Sequence, residues 1–114
     1  MDIPPELNTA EGFLDEFRAC KRVYGIQLNW NYFKNREFAE KSGITEEEIQ
    51  QILLEKLGPE NYKKGPTEER NIEHYAPGII YEFIYPWQGY RIYFKLKIAI
   101  RGNSRISFCM SCHD

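Results

Sequence analysis

Between Arg91 and Arg101 the chain alternates without a slip. Ile92, Phe94, Leu96, Ile98 and Ile100 fall on one parity; Arg91, Tyr93, Lys95, Lys97 and Arg101 fall on the other. Successive side chains of an extended strand leave opposite faces, so the stretch is a strand with one apolar and one cationic face. Such a strand belongs in an antiparallel sheet that rests one side on a core and turns the other to solvent. The cationic side is the place to look for function.

The neighbouring segments extend this sheet. Ile79 to Tyr85 is β-branched and aromatic, and the turn Pro86-Trp87-Gln88-Gly89 joins it to the central strand as a hairpin. A second turn, Arg101-Gly102-Asn103-Ser104, leads into a strand from Arg105 to Met110. Ile106, Phe108 and Met110 are expected to continue the apolar face. Arg105, Ser107 and Cys109 are expected beside Arg91, Tyr93, Lys95 and Lys97. Ile26 to Trp30 alternates weakly and predicts a short strand.

Three helices are predicted. Asn8 and Glu11 have capping-box spacing ahead of a helix that carries Phe13, Phe17, Cys20 and Tyr24 on one face and stops at Gly25. Tyr32 to Ser42 is the second, with Phe33, Phe38 and Ala39 inward and Gly43 as its stop. Thr45 with Glu48 caps the third, which is lined by Ile49, Ile52, Leu53 and Leu57 and closed by Gly58-Pro59. Residues 61–77 form a polar connection, and connections of that length are often functional. The fold class is α+β: three helices packed on one face of a small twisted antiparallel β-sheet of about four strands. One domain is expected over residues 1–114, with 1–8 and 111–114 as flexible ends.

Length and charge bound the function. A chain of 114 residues supports one hydrophobic core. No apolar run reaches the roughly 18 residues that a membrane-spanning helix needs, and no basic-plus-apolar leader opens the chain. Three cysteines, an odd number, suit a reducing compartment better than a disulfide framework. The expected location is therefore cytoplasmic, without membrane contact. The net charge of −2 hides a polarity: residues 1–82 hold ten Lys/Arg against sixteen Asp/Glu, and residues 83–113 hold five Lys/Arg and no acid. A basic sheet on an acidic helical half is the asymmetry expected if one surface meets a polyanion; it is also what a solvated sheet face requires.

A further set of residues carries a resemblance. The chain reads Gly25-Ile26, Lys34-Asn35, Ser42-Gly43-Ile44-Thr45, Tyr62 with Gly65-Pro66, and Tyr81-Glu82-Phe83. It continues with Gly89, Ile92-Tyr93-Phe94-Lys95-Leu96-Lys97-Ile98 and closes on Ile106-Ser107-Phe108. In order and spacing this series, from about residue 13 to residue 109, resembles the MqsR-family toxins of bacterial type II toxin–antitoxin modules, small relatives of the RelE-like fold. The resemblance implies a metal-independent endoribonuclease, without cofactor, that cleaves mRNA. A cognate antitoxin would silence it, and DNA would be met only through that antitoxin. The family's loop lysine falls on Lys63 and its strand tyrosine on Tyr93. Its glutamine falls on Glu82 and its basic residue after Ser-Phe on Cys109, two departures from the pattern.

The chemistry would be attack of a 2′-hydroxyl on its adjacent phosphate, which needs a base, an acid and cations around the phosphorane. Lys63, Tyr93, Glu82 and Lys95 are the candidate catalytic residues. Arg91, Lys97, Arg101, Arg105, Cys109 and His113 are the candidate RNA-binding residues, with His113 close enough in sequence to stand in for Cys109. The alternative is a non-catalytic RNA- or protein-binding module on the same scaffold. Cys109-Met110-Ser111-Cys112-His113 has the C-x-x-C-H spacing of covalent haem attachment, but that chemistry belongs outside the cytoplasm. Zinc would lack a full ligand set there, since beyond this segment only Cys20 and His74 remain. The bland reading of this segment is a frayed tail with incidental thiols, and of His74 a solvated loop residue.

Overall fold

The structure, a computed structural model, describes residues 2–23 and 25–114. Among them, five strands form one sheet in the order β1-β5-β4-β3-β2. Strand β4 (Tyr90–Arg101) is its central strand, as the unbroken alternation predicts, and Ile92, Phe94, Leu96 and Ile98 are fully buried on one side. Strand β3 (Gly78–Trp87) pairs with it antiparallel across the two-residue loop Gln88-Gly89. Both loop residues have positive φ, the mirror-image turn whose twist matches that of the flanking strands. Strand β5 (Ser104–His113) lies antiparallel on the other side of β4. The short β1 (Gln27–Leu28) joins β5 in parallel, so the sheet is mixed rather than wholly antiparallel.

Strand β2 (Tyr62–Glu68) borders β3 and lies within the segment expected to be loop. Lys63-Lys64 and Gly65-Pro66 conceal it from any hydrophobic period. Glycine is required where β2 crosses β3: Gly65 has φ +128°, and a Cβ there would come within 2.8 Å of the Ile80 carbonyl oxygen.

Three helices cover one sheet face: α1 (Ala10–Ala19), α2 (Phe33–Ser42) and α3 (Glu46–Gln51), the last prolonged by a wide π turn over Ile52–Lys56. Phe13, Leu14 and Phe17 of α1 meet Tyr81 and Phe83, with the Phe13 and Tyr81 rings 4.4 Å apart. Each such side chain contributes about 1.5–3 kcal/mol by leaving water. Ile49, Ile52, Leu53 and Leu57 are buried as predicted, and both legs of the Thr45–Glu48 capping box form. Arg18 ties α1 to this helix by donating to the carbonyl oxygens of Leu53 and Leu57, which helical bonding leaves open.

Several local expectations are corrected. Thr9, not Asn8, caps α1, because a short 3₁₀ turn (Pro5–Leu7) consumes Asn8. That turn buries Leu7, whose carbonyl accepts from the Tyr81 hydroxyl, so the lead segment is anchored. Helix α1 ends at Ala19, and Tyr24 lies outside the described residues. On α2 it is Asn35, not Phe33, that joins Phe38 in the interior; Phe33 is exposed.

The largest correction concerns β5. The two-residue loop Gly102-Asn103 pairs Arg101 with Ser104, which sets Arg105 opposite Ile100, Ser107 opposite Ile98 and Cys109 opposite Leu96. Arg105, Ser107 and Cys109 thus lie on the helix side, and Ile106 and Phe108 on the far side, the reverse of the expected parity. Ser107 donates to the Phe17 carbonyl, and Arg105 pairs with Glu6 at 2.7 Å and Glu16 at 3.2 Å. The parity then changes again. Between Leu96↔Cys109 and Lys95↔Ser111 the register shifts by one residue at Met110, a β-bulge. Cys112 therefore faces the core opposite Phe94, and His113 faces outward opposite Tyr93. Residues 111–113 are strand, not a frayed end.

Candidate functional site

The sheet face away from the helices is divided. Over its first half, residues 69–77 fold across β4 and hold Lys97 in an ion pair with Glu69 at 2.7 Å, where the two side chains are only 7% and 11% exposed. Burial alone would raise the Glu69 carboxyl, but the hydrogen bond and charge of Lys97 outweigh it and hold it below the usual carboxylate value. Lys97 is therefore a structural cation, not one of the free RNA-binding side chains expected from its parity.

Over the second half the sheet stays open, and Tyr93 is its centre. Its hydroxyl donates a 2.6 Å hydrogen bond to Glu82 Oε1 from the adjacent strand β3. Lys63 Nζ lies 5.0 Å from the Tyr93 ring centroid, delivered by β2. The His113 ring lies 5.3 Å from the Tyr93 ring, delivered by β5, and Tyr32 stands 5.8 Å beyond it, edge to face. Four strands thus bring a carboxylate, a phenol, an ammonium and an imidazole to one spot. Lys95 follows on the same face of β4, opposite Glu82 on one side and Ser111 on the other.

Local structure explains each placement. Tyr62 donates its hydroxyl to the Gly65 carbonyl at 2.6 Å, closing β2 around Lys63-Lys64. Asn35, on α2, supplies the missing backbone partners of the β5 bulge. Its amide nitrogen donates to the carbonyls of Met110 at 3.1 Å and Asn29 at 2.8 Å, and its amide oxygen accepts from the Cys112 N–H at 2.8 Å. A buried amide thus does what a neighbouring strand would do, and the bulge it satisfies is what turns His113 toward Tyr93.

Protonation states follow from these contacts. Burial, then the hydrogen bond and charge of Glu82, push the Tyr93 phenol well up, so it keeps its proton at neutral pH and donates it to the carboxylate. His113 Nδ1 lies 3.1 Å from the Asp114 carbonyl oxygen; a proton on Nδ1 satisfies that contact and leaves Nε2 as the nitrogen that exchanges a proton with a ligand.

No protein-family model, characterised protein or solved structure matches this chain. What the chain does is to be read from the site itself.

Of the residues expected in the site, Lys63, Glu82, Tyr93, Lys95 and His113 come together. Arg91 is exposed at the hairpin end of the same face, opposite Pro86, and Arg101 is exposed at the opposite end of β4. Arg105 and Cys109 are excluded by the register of β5: the first is tied to Glu6 and Glu16, and the second is 1% exposed in the core. Burial pushes the Cys109 thiol well up and the Cys112 thiol to about 12, so neither supplies a ready thiolate, and both are closed to haem attachment. Cys20 is half-buried; burial and the Glu16 carboxylate raise it to about 11, in keeping with an unreactive thiol. Among the described residues, no group of three His, Cys, Asp or Glu side chains is arranged to hold a metal ion, and no helix is long and apolar enough to cross a membrane. Sequence reasoning missed Tyr32 and Asn35; a polar residue at an inward helical position was the available signal for the latter.

Proposed function

We propose that this protein is an endoribonuclease that cleaves single-stranded mRNA by transphosphorylation, of the MqsR-like toxin type and restrained in the cytoplasm by an antitoxin protein. The observation that carries the reading is the convergence of Glu82, Tyr93, Lys63 and His113 on an uncovered sheet face. Glu82 takes the proton of the 2′-hydroxyl as the O2′–P bond forms. The P–O5′ bond breaks, and the His113 imidazolium returns a proton to O5′, leaving a 2′,3′-cyclic phosphate. Lys63 and Lys95 offset the charge of the phosphorane, and Tyr93 holds Glu82 by its hydrogen bond and offers its ring to a base. The cation that the resemblance sets at position 109 is supplied instead by His113, four residues later. Exposed Phe33, edge to face with Tyr32 beside His113, offers apolar ground for the antitoxin.

The test is incubation of purified protein with mixed-sequence RNA in EDTA, scored for fragments with cyclic-phosphate ends, beside overexpression of parent, Tyr93→Phe and Lys63→Ala. Cleavage and growth arrest by the parent, both lost in the variants, are expected. RNA that is bound but never cut would assign the same face to a non-catalytic binding module, the reading that a carboxylate beside the phosphate favours.

A further inference from the structure

Beyond Lys97 the outer sheet face runs into a cleft of about 510 Å³, walled by residues 74–76 of the covering segment and by β1. That volume lies within the roughly 300–1,000 Å³ of small-ligand sites. Its floor is Ala99 and Phe108, which the β4–β5 register turns outward together. The lining includes His74, Lys97 and Arg101 and no carboxylate, although the chain as a whole has seventeen acids against fifteen Lys/Arg. The neighbouring acid, Glu69, is neutralised by Lys97. Tyr75, 56% exposed, stands over the cleft, and exposed Gln27 brings an amide that can both donate and accept.

We infer that this cleft is a nucleobase subsite of the RNA-binding surface, taking bases that flank the cleavage point rather than the one at it. The inference rests on the reading of the Tyr93 face as an RNA site. An aromatic wall, an amide at the rim and an uncompensated guanidinium are the elements that stack a base, read its edge and hold its phosphate. The cleft and the Tyr93 site share one face of the sheet, on either side of the Glu69–Lys97 pair. Tyr93, Lys95 and Lys97 follow one another on one face of β4, and four residues of strand span about 14 Å. A strand whose scissile phosphate sits at Tyr93 thus passes Lys95 and reaches the cleft by crossing over the segment that covers Lys97. The cationic and amide groups at its rim and the absence of acids favour an RNA base over an apolar protein segment.

The test measures fluorescence anisotropy of short single-stranded homopolymer RNAs carrying 2′-O-methyl groups, which cannot undergo the cleavage step. Tyr75→Ala and Arg101→Ala are each expected to weaken binding about tenfold, within the range for loss of one base–aromatic stack. Gln27→Ala is expected to flatten the preference among the four homopolymers. All three side chains are exposed, so the fold is expected to tolerate their loss. Variant affinities within twofold of the parent overturn the subsite and leave the cleft to a protein. The expected loss in a protein that never cuts unprotected RNA overturns cleavage and keeps the subsite. A parent that binds none of these RNAs overturns both.

Discussion

The Tyr93 hydroxyl donates to Glu82 Oε1 at 2.6 Å across two adjacent strands, on the open half of the outer sheet face. A phenol held protonated by burial and by a carboxylate is a poor base, so in the proposed cleavage the basic role falls to Glu82 and the supporting role to Tyr93. Glu82→Gln is expected to lower RNA cleavage by about 100- to 10,000-fold, the usual contribution of a general base. Single-turnover rates against pH check this. A variant as fast as the parent would remove Glu82 from the chemistry.

His113 faces Tyr93 only because β5 carries one extra residue at Met110, and Asn35 satisfies that bulge. Asn35→Ala leaves buried backbone groups without partners and is expected to cost about 3 kcal/mol in urea unfolding, at roughly 1–3 kcal/mol per orphaned group. Cleavage per folded molecule should fall as well, and the His113 ring resonances should move while those of Tyr75 do not. Loss of stability with an unmoved His113 would mean that the bulge forms without the amide.

The Lys97–Glu69 pair fastens residues 69–77 to the sheet. Removing one partner, as in Lys97→Met, strands a buried charge and is expected to destabilise by about 3–5 kcal/mol, whereas Lys97→Met with Glu69→Leu should be close to neutral. Because the folded-state carboxyl of Glu69 is depressed, its stabilisation is complete above the ordinary carboxylate pKa and is lost as pH falls through the folded value. Hydrogen exchange across 69–77 should accordingly quicken on acidification before that of β4 does.

Cys109 and Cys112 both face the core. Ellman's reagent is expected to leave them unmodified in the folded protein and to titrate all three cysteines after denaturation. Burial raises Cys112 to about 12, so the unfolded chain ionises first as pH rises. Stability is therefore intact below the ordinary thiol pKa and declines from there toward pH 12. Rapid labelling of the native protein would contradict this strand register.

Much was legible in the sequence because it depended on local periodicity. The alternation from Arg91 to Arg101 determined the central strand, its buried face and the outward direction of Tyr93 and Lys95, since parity along one strand needs no knowledge of its neighbours. The Thr45–Glu48 box and the inward aliphatic face after it were equally local. What only the tertiary structure decided were the relations between strands. A two-residue loop reversed the faces of Arg105 and Cys109, and one bulge, held by an asparagine on a distant helix, reversed the parity again beyond Met110 to bring His113 to the site. Lys97 shares its parity with Tyr93, yet it is sealed by Glu69 from a segment with no hydrophobic period. Side-chain direction is a property of one strand, whereas register and cover depend on what packs beside and above it.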